Sequence, residues 1–150
     1  TPTDTLSLLT DLSAGVSQWI RYQSREVEGT QSPIDTLSRG WGSCRDLAVL
    51  FAEATRSLGF GARIVSGYLY SPAQSGIGPR DVGSTHAWAE VFVPGAGWIT
   101  FDPTNRRVGG QNLIPVAVAR DIRQVMPVTG SFIGTTDALH SMSVEVSVSS

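Results

Sequence analysis

The stretch GWGSCRDLAVLFAEATRSLGFG, residues 40–61, holds the single cysteine of the chain, Cys44, just behind a glycine-flanked aromatic turn. Leu47, Leu50, Phe51, Ala54 and Leu58 recur at spacings of three and four, which aligns one apolar stripe along a helix. Asp46 and Glu53 are expected to face away from that stripe. Arg56 suits the negative end of the helix, and Gly59 supplies the left-handed stop. The helix is therefore expected to end near Leu58, with Cys44 in its first turn on the core side.

That position matters chemically. A free thiol titrates near pH 8.5, and a helix N-terminus or a neighbouring imidazolium brings it down to roughly 3.5–7.5. Unpaired N–H groups in the same turn stabilise an oxyanion. Taken alone, Cys44 fits either this reading or that of a small buried hydrophobe.

With 150 residues, 41% of them hydrophobic, and a net charge of −2, the chain is expected to form one domain, residues 1–150. The charge is too low for a nucleic-acid partner, and no apolar run is long enough to span a membrane. One cysteine and two histidines, His86 and His140, exclude a disulfide framework and leave no metal site or cofactor to expect. A lone cysteine points to a reducing, cytoplasmic compartment. No basic-then-apolar leader is present, and the start at Thr1 without methionine gives the expectation of a segment excised from a longer protein.

Upstream, Leu8, Leu9, Leu12, Val16 and Ile20 predict a helix behind a cap at Thr3 or Asp4, ending by Ile20. Arg21 to Gly29 reads as a short extended piece and a turn. Ser32-Pro33 starts a short helix that Gly40 stops. Downstream, Ala62 to Tyr70 predicts a strand that Gly67 bends or bulges. The Pro- and Gly-rich run Ser71 to Ser84 predicts a long loop, read as a wall of a cleft. Val108 to Asn112 reads as loop and Ile114 to Ala119 as a strand that Pro115 confines to an edge or to its own start. Arg120 to Gly134 has no clear period. Met142, Val144, Val146 and Val148 alternate with polar residues and predict a closing strand.

The strongest hairpin signal is THAWAEVFV, then PGAG, then WITFDPTN. His86, Trp88, Glu90 and Phe92 share one face of the first strand; Trp98, Thr100 and Asp102 share a face of the second. A two-residue loop at Gly95-Ala96 would put His86 and Asp102 on opposite faces. A five-residue loop with Phe92 opposite Trp98 puts Asp102 opposite Trp88 and diagonal to His86, within side-chain reach. An odd loop or a bulge near Pro94 to Gly97 is therefore expected if the two meet.

Cys44, His86 and Asp102 then supply a nucleophile, a base and an orienting carboxylate in that order. Each also has a structural reading: a buried thiol, a half-buried strand histidine, and an aspartate starting an Asp-Pro turn. The motifs Gly42-Ser43-Cys44-Arg45-Asp46-Leu47-Ala48, Ala62 to Tyr68, His86-Ala87-Trp88-Ala89-Glu90-Val91, Pro94 to Trp98 and Phe101-Asp102-Pro103-Thr104-Asn105 together resemble the bacterial transglutaminase-like superfamily. Tyr22, Ser32-Pro33, Arg120-Asp121, Pro127 and Gly130 extend the resemblance over almost the whole chain.

The resemblance implies an α+β, papain-like core, with helices packed on an antiparallel sheet and the nucleophile at a helix N-terminus. It makes Cys44 the nucleophile, His86 the base and Asp102 the orienter, and it gives no metal site. The implied reaction is acyl transfer from a glutamine carboxamide or peptide amide of a protein substrate through a thioester. An amine acceptor makes a transglutaminase and water makes a protease or amidase; a catalytically silent peptide-binding module is the other class. Trp41, Tyr68 and Trp88 are the candidate cleft walls that would exclude water. The backbone N–H of Cys44 is the first expected oxyanion donor. Asp46 reads as structural, with Arg45 or Arg63 as its partner.

Overall fold

The amphipathic helix read from residues 44–58 is present as α3 (Cys44–Ser57) and lies against one face of a sheet in the computed structural model, which describes residues 4–25, 27–70 and 84–148. Leu47, Leu50 and Phe51 of its stripe are buried, Ala54 is half-buried, and Leu58, expected on the stripe, is exposed. Leu58 caps it, and Gly59 follows at φ 92°. Before it come α1 (Thr5–Trp19), β1 (Arg21–Tyr22), α2 (Pro33–Arg39) and β2 (Trp41–Gly42). Asp4 caps α1 by accepting from the Ser7 N–H, and Ser32 caps α2 ahead of Pro33. The apolar side of α1 runs through Leu9, Leu12 and Val16 to Ile20; Leu8, expected on it, lies off it and is exposed.

The strands are β3 (Gly61–Leu69), β4 (Ser84–Val93), β5 (Gly97–Asp102), β6 (Arg107–Val108) and β7 (Leu113–Ala119). They form an antiparallel sheet in the order β6-β5-β4-β3-β7. The α3 stripe packs on Ile64, Ala89, Val91 and Phe101, whose side chains point to one face of the pleat. The Phe51 and Phe101 rings stand 5.3 Å apart. Burial of Ile64, Val91 or Phe101 contributes about 1.5–3 kcal/mol each. This layer fixes α3 on the sheet and so fixes where its N-terminus opens.

The hairpin register is the one that lets His86 and Asp102 share a face, with Phe92 opposite Trp98. Pairing continues one step further, to Val93 opposite Gly97, so the loop is the three residues Pro94-Gly95-Ala96. Gly95 at φ 85° and Gly97 at φ 83° permit that tight closure, and the Ala96 N–H donates to the Val93 carbonyl. Gly67 marks the expected irregularity: the register with β7 shifts between Ser66 and Gly67. A Cβ at Gly67 would sit 2.0 Å from the Ile114 carbonyl oxygen and 2.9 Å from the Trp88 ring, so no side chain fits there. Pro115 lies on β7, which is an edge.

Two expectations are corrected. Val108, read as loop, pairs with Phe101 in the short strand β6. The alternating segment from Met142 to Val148 forms no closing strand; it has one isolated β-bridge at Ser147, with Met142 and Val144 exposed. Alternation prepares a face, but a strand also needs a neighbour's backbone. Here β6 and β7 are the sheet's two edges, and Pro115 removes a donor from β7. No helix among the described residues is long and apolar enough to cross a membrane.

Candidate active site

Cys44 owes its position to the turn before it. A Cβ on Gly42 would meet the Asp46 Cβ at 2.9 Å, so only glycine lets the chain pass this close to the helix end. Ser43 then closes the turn: its backbone N–H and its hydroxyl both donate to Asp46 Oδ2, each at 2.8 Å. Cys44 follows as the first helical residue, partly exposed.

Asp46 differs from the reading made of it. It is fully buried, facing inward, and its partner is Arg25 rather than Arg45 or Arg63. Arg25 Nη2 donates to both carboxylate oxygens at 2.7 and 2.9 Å. The Gln31 backbone N–H adds a bond of 2.7 Å to Oδ1, and its side-chain amide one of 3.2 Å to Oδ2. One carboxylate thus ties the 25–31 segment to the helix end that presents Cys44. Arg45 instead donates to the carbonyls of Gly29 and Val27, and Arg63 pairs with Glu90 at 2.7 Å while lying 4.0 Å from the Trp98 ring centre.

His86 sits near the start of β4 opposite Gly67, and Asp102 ends β5. The imidazole Nε2 and Asp102 Oδ2 are 2.8 Å apart, with both residues buried. Asp102 Oδ1 also accepts from the Thr104 and Asn105 backbone N–H groups, and Oδ2 accepts from the Asn105 side-chain amide at 2.7 Å. With Nε2 committed to the carboxylate, Nδ1 is the nitrogen left for the thiol.

The titration of the three groups follows this contact chain. Burial alone pushes the Cys44 thiol up, but its hydrogen bond with His86, the imidazolium charge, and the Ala87 and Arg45 backbone N–H groups together hold it below its ordinary value. Burial likewise opposes the charged imidazole. The Asp102 carboxylate and Cys44 outweigh it and raise His86 to about 9. Asp102 is pushed up by burial and pulled below its ordinary value by His86 and Asn105, with the latter winning. Each of the three shifts favours the charged form: thiolate on Cys44, imidazolium on His86 and carboxylate on Asp102.

These side chains open on a cleft of about 1000 Å³. Tyr22, Ser24, Arg25, Thr85 and Asn105 line it beside Cys44 and His86. Among the described residues, Trp41, Tyr68 and Trp88 are not part of that lining. Trp41 is half-buried in β2 beside the Arg39 guanidinium. Tyr68 stands in β3 opposite Thr85 and Ile114. Trp88 shares the His86 face but lies deeper, 1% exposed, with its ring stacked 6.0 Å from the imidazole. It supports the histidine from beneath. The cleft wall expected of the loop from Ser71 falls on residues 71–83, outside the described residues.

Tyr22 and Asn105 are among the cleft residues that the residue-by-residue reading left without a role. Tyr22 reaches the site because β1 runs parallel to β2, with Tyr22 opposite Gly42, two residues before Cys44. Burial and the Cys44 charge both raise its phenol. For Asn105 a signal existed: Asp102-Pro103 predicts a turn whose next N–H groups bond back to the aspartate.

A family model described as the transglutaminase-like superfamily matches residues 1–103. The chain belongs to that superfamily. An uncharacterized protein of Mycobacterium leprae (strain TN) is 34% identical over 122 residues, covering 79% of this chain and 43% of that protein. The chain therefore spans less than half the length of that relative. Among solved structures, a candidate cysteine protease of Cytophaga hutchinsonii superposes with a TM-score of 0.66 at 26% identity, over 82% of this chain and 39% of that one. Calcium-bound LapG of Legionella pneumophila has the same fold, with a TM-score of 0.60 at 15% identity over 79% of this chain and 67% of that one. The architecture is the papain-like, transglutaminase-like α+β core.

Proposed function

We propose that the protein is a cysteine-dependent enzyme that opens a peptide or glutamine side-chain amide through a thioester on Cys44. The observation that carries this reading is the buried His86–Asp102 pair at 2.8 Å, with Cys44 at the helix N-terminus on the same cleft as His86. The Cys44 thiolate attacks the carbonyl carbon, and the resulting oxyanion faces the free N–H groups of the α3 first turn. The His86 imidazolium gives its proton to the departing nitrogen, so ammonia or an amine leaves and the thioester remains. Neutral His86 then takes a proton from the acceptor as it attacks, and the thiolate is released. Asp102 holds the Nε2–H tautomer throughout.

Water is the acceptor we favour. Ser24, Thr85, Thr104 and Asn105 put polar groups along the cleft, and among the described residues Trp41 and Trp88, which would exclude water from it, lie outside its lining. The protease description of the Cytophaga relative supports the same acceptor. Transfer to an amine, giving a transglutaminase, is the second reading, favoured by the superfamily match. A free Cys44 thiol suits a reducing compartment such as the cytoplasm.

The test is mass spectrometry of glutamine-containing peptides incubated with the protein, with and without a primary amine. Cleaved or deamidated peptide is expected in both arms, at a rate the amine leaves unchanged. Amine-adduct formation in place of hydrolysis would select the transferase, and no product in either arm would remove the enzymatic reading. The rate should follow a bell in pH. It rises as Cys44 ionises at its lowered pKa, because the thiolate exists above that value. It falls through about pH 9, where His86 loses the proton it needs as an acid.

A further inference from the structure

The alternating segment that fails to join the sheet lies against the active-site cleft. Pro127, Val128, Met142, Ser143 and Val144 line the same cleft as Cys44 and His86. Residues 126–148 hold no helix and no strand, and their one regular pairing is the β-bridge at Ser147. The segment nevertheless has strand chemistry, with Met142, Val144, Val146 and Val148 alternating with Ser143, Glu145 and Ser147. Met142 and Val144 keep 73% and 60% of their surface exposed, so the core does not hold them.

We infer that the Cys44 cleft is a track for an extended peptide in which aliphatic side chains alternate with small or polar ones, and that the chain's own tail, which borders the cleft through Met142, Ser143 and Val144, covers part of it. This rests on the amide-opening function proposed above and names the substrate class for that site. An extended chain presents every second side chain to one wall, so the alternation of the tail fits a groove that reads one face of a peptide. A tail with exposed apolar side chains and a single bridge is displaceable, so a substrate of the same pattern competes with it for the cleft. The tail thereby limits access to Cys44 until such a peptide arrives.

The test uses the whole chain and reads access to Cys44 directly. Cys44 is labelled with iodoacetamide and, separately, with a peptide-sized maleimide, in the parent and in a Met142→Asp/Val144→Asp double variant. Both substituted side chains are exposed, so the variant keeps its fold. If the tail closes the cleft in about nine molecules of ten, freeing it raises the maleimide rate about tenfold, since the rate scales with the open fraction. The iodoacetamide rate should change less than about twofold, because that reagent is small enough to pass. A synthetic peptide of residues 141–149 added to the variant should restore protection against the maleimide. An unchanged ratio of the two rates would overturn the inference, as would a peptide that gives no protection. The ratio decides the place of the tail whatever the pKa of Cys44, so an ordinary thiol titration would remove the catalytic reading alone.

Discussion

Asp46→Ala is expected to cost about 3–5 kcal/mol of folding stability, the range for breaking a buried ion pair by removing one partner. The carboxylate is fully buried and accepts from Arg25, from the backbone and side chain of Gln31, and from the backbone and hydroxyl of Ser43. Alanine leaves a guanidinium that is only 17% exposed with the Gly29 carbonyl as its remaining acceptor, and two interior N–H groups with none. It also frees the turn that delivers Cys44 to the mouth of α3. Urea unfolding is the measurement: with a slope of about 1–3 kcal/mol per molar, the midpoint should fall by more than about 1 M. A shift of a few tenths of a molar would mean that Arg25 and Gln31 are not held by this carboxylate.

Asp102→Asn is expected to lower turnover on the amide substrate by about 10³–10⁴-fold, far more than the fraction of protein that the accompanying loss of stability unfolds. Asparagine has the same shape and keeps one oxygen for the Thr104 and Asn105 N–H groups that Oδ1 now accepts. Its amide nitrogen, however, would face His86 Nε2 as a donor, where the carboxylate accepts at 2.8 Å. The imidazole must then carry its proton on Nδ1, the nitrogen that has to receive the thiol proton. Turnover and melting, measured on the same preparation, separate this effect from unfolding. Turnover within tenfold of the parent would show that Asp102 only anchors the 102–105 turn.

The α3 stripe and the hairpin register were legible because both are periodic and local. The shared face of His86 and Asp102 follows from one parity argument, and the extra pair at Val93 and Gly97 changes the loop length without changing that parity. The partner of Asp46 was not legible, since Arg25 lies 21 residues upstream and reaches it through a segment with no regular pattern. Trp88 shows a different limit: alternation gave its face, but not the depth at which the ring ends beneath His86. The tail shows a third, because an alternating segment becomes a strand only where another backbone meets it. The parallel contact of Tyr22 with Gly42 is two residues long and leaves no periodic trace.

Whether Cys44 and His86 titrate as one pair is read from the pH dependence of Cys44 alkylation by iodoacetamide, in the parent and in His86→Ala. In the parent the apparent pKa should lie clearly below the ordinary thiol value of about 8.5, since the imidazolium is what overcomes the burial of the thiol. Removing His86 leaves burial unopposed by that charge, so the apparent pKa should rise to the ordinary value or above it. An ordinary thiol pKa that His86→Ala leaves unchanged would contradict the account.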